Sequence, residues 1–145
     1  MKYKHLIPKL KEYMNNSRKD IEIGCTIDQD TSGALYLSNY NMGKANSVRL
    51  PPNNNTIGYF HTHTDSYITN DPMDRLSSGD IQHMIRGNLK IEFLGYQGQL
   101  MVCEIFKFPK TFSRLGNDIK SKSGREWRKA LIKMQMFLHD RLKII

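Results

Sequence analysis

An α+β fold in one domain, with a central mixed β-sheet flanked by helices and a basic C-terminal helix, is predicted by three features of this sequence. Its 145 residues provide one real core, and a second independent domain would be too small to stabilise itself. Its apolar patterns run in the order helix, strands, helix, strands, helix, which suits an α+β or α/β/α sandwich. Its C-terminal third carries a broad helical stripe.

Leu6, Leu10, Tyr13 and Met14 recur at helical spacing, with Pro8 in the first turn and Asn15-Asn16-Ser17 closing the segment. Ile21 to Asp28 and Ala34 to Asn39 read as strands of a hairpin about the turn Asp30-Thr31-Ser32-Gly33. The polar stretch Asn41 to Asn55 reads as loop, with a short strand around Val48. Thr56 to His63 is a β run, and Asp65 to Arg75 is turn-like. A hydroxyl at Ser77 or Ser78 caps a helix through Ile81, Met84 and Ile85 that Gly87-Asn88 ends. Lys90 to Gly95 and Gln99 to Phe108 form a second hairpin through Gln97-Gly98, for at least five strands. Trp127, Ala130, Leu131, Met134, Phe137, Leu138, Leu142 and Ile145 share one face of a final helix, on which Met134 and Met136 are expected to pack. Residues 1–108 thus read as the core, and residues 109–145 as a basic extension with a helix that packs on it.

No apolar run approaches the ~20 residues of a membrane span, and no apolar stretch follows the basic N-terminus as in a signal peptide. Cytoplasmic placement is therefore the default expectation. Cys25 and Cys103, far apart in strand-like settings, read as buried thiols rather than a disulfide or a cysteine zinc cluster. From Lys107 onwards there are eleven Lys/Arg against three Asp/Glu, so the entire net charge of +8 resides there. Such a field attracts nucleic acid, anionic lipid or an acidic protein partner. A solvated helix face is the simpler account; the alternative is a phosphate-contacting tract of Lys107, Lys110, Arg114, Lys120, Lys122, Arg125, Arg128 and Lys129.

His61 and His63 stand two apart on a strand, so both imidazoles leave one face and can share one metal ion. Asp80 at a helix start would complete a two-histidine, one-carboxylate zinc site with an open position, although Ser77 and Asp80 also read as plain capping. Glu22 interrupts the apolar run Ile21-Glu22-Ile23-Gly24-Cys25, where a carboxylate needs a reason, and a general base is one.

Glu22, then Tyr59-Phe60-His61-Thr62-His63, then Ser77-Ser78-Gly79-Asp80 together resemble the JAMM (JAB-domain, MPN-plus) metallopeptidases, over roughly residues 5 to 108. The resemblance implies their cytidine-deaminase-like α/β/α sandwich. It also implies zinc on His61, His63 and Asp80, Glu22 as base, and Ser77 stabilising the oxyanion. The family hydrolyses amide and isopeptide bonds, so the implied partner is a protein or peptide substrate, such as a ubiquitin-like modifier or sulfur-carrier tail. The sequence departs from the family pattern in three places. Thr64 stands where proline is usual, the long gap after His63 leaves Asp74 a rival to Asp80, and the position of Gly24 leaves Asp20 a rival to Glu22. A noncatalytic scaffold of the same fold is the competing expectation.

Overall fold

The computed structural model describes residues 1–64 and 76–145. The turn-like segment Asp65 to Arg75, with the rival ligand Asp74, lies outside the described residues. Among the described residues there are four α-helices and one six-stranded mixed sheet. The chain runs α1 (Ile7–Asn16), β1 (Ile23–Gln29), β2 (Leu35–Met42), β3 (Thr56–Thr62), α2 (Ser78–Gly87), β4 (Ile91–Tyr96), β5 (Gln99–Cys103), α3 (Pro109–Ser121), α4 (Gly124–His139) and β6 (Leu142–Ile144). The strand order is β2-β1-β3-β4-β5-β6, and only the β3–β4 pair is parallel. A parallel pair needs a crossover, and α2 lies within it.

Two apolar cores sandwich the sheet. On one face Leu6 and Leu10, from the N-terminal 3-10 turn and α1, meet Ile23, Cys25, Ile27, Phe60 and Phe93. On the other, Ile81 and Met84 of α2, Phe112 and Leu115 of α3, and Leu131 and Met134 of α4 meet Tyr59, Leu94 and Met101. Strand alternation explains the division, because Tyr59 and Phe60 necessarily point to opposite faces. Both cysteines are buried and free. No helix among the described residues is long and apolar enough to cross a membrane.

Pro8 opens α1, and Gln97 and Gly98, both at positive φ (52° and 74°), make the two-residue turn between β4 and β5. Four expectations need correction. No strand forms at Val48; it packs as a loop residue against the core. The last strand of the second hairpin ends at Cys103 rather than Phe108. There Glu104 leaves the ladder to bind Tyr3, Lys107 and Lys143, and Ile105–Lys107 turns as a 3-10 helix. The final helix stops at His139, and Leu142–Ile144 pairs with β5 as a sixth strand, since an extended segment can satisfy the open edge that a helix cannot. Met136 is exposed on α4 while Met134 is fully buried, as their two-residue offset places them on different faces. Residues 109–121, assigned no element in the sequence and read only as part of the basic extension, form α3, which begins at Pro109.

Candidate metal centre

The centre assembles at the C-terminal ends of the parallel strands, where the crossover brings α2 back to the sheet, the usual position for a site in such a βαβ unit. His61 lies on β3, and His63 follows that strand directly, with its backbone N–H still bonded to the Gly95 carbonyl at 2.9 Å. Period-two alternation sends both imidazoles to the α2 face, and both residues are buried, at 6% and 8% exposure. Asp80 arrives from the first turn of α2. Its orientation comes from a reciprocal cap: Asp80 N–H donates to Ser77 Oγ at 3.1 Å, and Ser77 N–H donates to Asp80 Oδ2 at 2.8 Å. Capping and site-building are thus one interaction.

The three side chains face a common point. His61 Nε2 lies 3.3 Å from His63 Nε2 and 3.2 Å from Asp80 Oδ1, and His63 Nε2 lies 3.1 Å from Asp80 Oδ2. Ligands ~2.0–2.1 Å from one tetrahedral zinc ion stand ~3.3–3.4 Å apart. The two imidazole nitrogens have that spacing, each faces a different oxygen of the Asp80 carboxylate, and one ligand atom from each residue lies within 4.8 Å of the others. Two nitrogen lone pairs and a carboxylate converging in a buried space call for a cation. Without a metal a proton fills that role. Burial alone would lower the His61 pKa, but Asp80 and Glu92 hold it well above the imidazole range. Against the same burial, His61 and His63 hold the Asp80 carboxyl below the carboxylate range.

Glu92, on β4, escaped the sequence reading. It pairs in register with Tyr59, is 2% exposed, and accepts a hydrogen bond from His61 Nδ1 at 3.0 Å. A carboxylate on Nδ1 fixes the tautomer that leaves the Nε2 lone pair free for a metal. The available signal was a lone acid in the apolar strand Ile91-Glu92-Phe93-Leu94, the same kind of signal that marked Glu22.

Glu22 precedes β1 and continues its register. Gly24 opposes His61, so Glu22 falls opposite His63 on the same face. A Cβ on Gly24 would come within 2.4 Å of the Phe60 carbonyl oxygen and 2.8 Å of Leu50 Cδ1, so only glycine lets Leu50 close over this strand. Glu22 shares a cleft of about 250 Å³ with His61, Ser77, Asp80, His83 and Glu92. Burial pushes its carboxyl up to about 7, with His61 opposing and Asp80 reinforcing the shift. Asp20, the rival base, is 63% exposed and paired with Arg18, and does not line this cleft.

His83 is exposed on α2 and meets Tyr59 at a tilt, with ring centroids 4.3 Å apart. His5 bonds the Leu35 carbonyl at 2.7 Å and belongs to the fold. Thr64, in the position where proline is usual in the resembled family, is buried and donates to the Ala45 carbonyl at 2.9 Å. That bond tethers the 43–50 loop, whose Asn46, Ser47 and Val48 wall the cleft, a tie proline could not make.

No family model, curated protein or solved structure matches this chain. The functional reading therefore rests on the centre itself.

Proposed function

We propose that this chain is a zinc-dependent peptidase or isopeptidase of the JAMM (JAB/MPN) type, acting on an amide bond in a protein or peptide such as a ubiquitin-like modifier or sulfur-carrier tail. One observation carries the reading: the ligand atoms of His61, His63 and Asp80 converge at metal-binding spacing in a cleft that also holds Glu22 and Ser77. Support for the fold type comes from the mixed sheet with helices on both faces and the site at the end of the parallel pair.

A zinc ion held by these three residues would polarise the scissile carbonyl and lower the pKa of a water molecule towards ~7. Glu22, with a carboxyl near neutrality, takes a proton from the attacking water and delivers it to the leaving amine. Ser77 Oγ already accepts the Asp80 N–H, so its own O–H remains to donate to the developing oxyanion, for about 3 kcal/mol of transition-state stabilisation. Glu92 holds the His61 ring in place throughout. A groove of about 510 Å³ reaches His63 past Gly95 and Gly98 and leaves room for an extended chain beside the site.

The test is metal content by mass spectrometry on wild type, His61→Ala, Asp74→Ala and Asp80→Ala. About one zinc per chain is expected, lost in His61→Ala and Asp80→Ala and retained in Asp74→Ala. Glu22→Gln should retain the metal and lose ~10²–10⁴ in hydrolysis of modifier-linked substrates. Absence of bound metal after zinc is supplied refutes the proposal.

A further inference from the structure

The cations of the C-terminal region divide into two groups by what they touch. Lys107 and Lys143 are held by Glu104, Arg141 lies over the Phe137 ring, and Lys122 and Lys129 pair with Asp118 and Glu126. These five have structural partners. Lys110, Arg114, Lys120, Arg125, Arg128 and Lys133 are all exposed, and none has an ion pair among the described residues. All six sit on α3 and α4, which pack against each other as a hairpin and turn their apolar stripes to the core, so the cations face outward.

From these features we infer that the outer face of the α3–α4 hairpin binds double-helical nucleic acid through its phosphate backbone. The two acids within the helices, Asp118 and Glu126, are paired with Lys122 and Lys129, and the third acid of the region, Asp140, stands at the far end of α4. Neutral donors interleave the cations, as phosphate contacts require: Lys110 and Arg114 line a shallow depression of about 530 Å³ together with Ser113 and Asn117. Lys110 and Lys120 lie about 15 Å apart along α3, long enough to follow several phosphates. Single-strand recognition wants exposed aromatic platforms, whereas Phe112 is buried and Trp127 is packed against the core. An anionic membrane surface wants a broad apolar face to insert; α3 exposes no large apolar residue, and α4 exposes only Ile132 and Met136 among the described residues.

Fluorescence anisotropy of the full chain with a short labelled DNA duplex across a salt series tests this inference. With six phosphates engaged, log K against log salt should fall with a slope of about −5, roughly a thousandfold between ~50 and ~200 mM salt. Combining Arg114→Gln, Arg125→Gln and Lys133→Gln should reduce the slope to about −3 and the loss to ~40-fold, with the melting temperature unchanged. The double variant Lys2→Gln, Lys11→Gln and the metal-site variant His61→Ala should leave the slope unaltered, which separates this surface from the peptidase proposal. Absence of duplex binding at low salt, or an unchanged slope in the triple variant, overturns the inference. So does tighter binding of single strands, polyglutamate or phosphatidylserine vesicles than of the duplex.

Discussion

His61 binds two carboxylates at once, Glu92 through Nδ1 and Asp80 facing Nε2, and this double contact makes the centre sensitive at single residues. Replacing Glu92 by Leu removes the acceptor that fixes the ring, and zinc affinity should fall by ~10–100-fold in competition with a chromogenic chelator. Glu92→Gln keeps an acceptor oxygen and should lose less. Equal affinity in wild type and the Leu variant would show that Glu92 does not orient the ligand. His61, His63, Asp80 and Glu22 stood out in the sequence by spacing and local context, and Ser77 stood out as a helix cap, its place at an oxyanion being implied by the resemblance alone. Glu92 carried a similar local signal, but its partner is 31 positions away and only the β3–β4 register brings the two together. Asp20 likewise stayed a weaker rival to Glu22 on sequence grounds. The direction of each side chain separates them, one paired at the surface and the other facing the cleft.

At the scale of elements, α2 joins stability to the site, since its N-terminal cap is also the hinge of the Asp80 carboxylate. Ser77→Ala should cost about 1 kcal/mol in denaturant unfolding of the metal-free chain and should also weaken metal binding, because Asp80 N–H loses its acceptor. An unfolding loss with unchanged metal affinity would make the cap purely structural. The elements with clear periodicity, α1, α2 and α4, were legible with their caps and turns. Less legible were α3 and β6. In α3, Gly116 and Asn117 dilute the helical pattern, although Phe112, Leu115 and Ile119 keep the spacing. At β6, Leu142 and the following Ile145 extend the helical phase of α4 by coincidence, and the choice between helix and strand falls to the open edge of β5.

For the molecule as a whole, the centre makes stability depend on pH. Burial pushes the Glu22 and Glu92 carboxyls up to about 7, above their unfolded values near 4.5, so the metal-free folded state holds extra protons between those limits. His61, raised above its unfolded value, adds to the same trend at higher pH. Stability from these groups is present in acid and is lost as pH rises through about 7. Thermal melts with chelator should therefore decline from about pH 5 to about pH 8, while melts with zinc should diverge upward as the metal displaces the proton on His61. Parallel trends with and without zinc would mean that the metal does not compete for those protons. The sequence by itself determined the α+β class, the strand carrying the histidine pair, the capped helix carrying Asp80 and the concentration of charge in the last third, because each is written in local periodicity, spacing or composition. Only the tertiary structure decided which acids face the histidines, which cations remain unpaired, and that the chain's end returns as a strand. Those outcomes depend on contacts between residues distant in the chain, which local pattern does not encode.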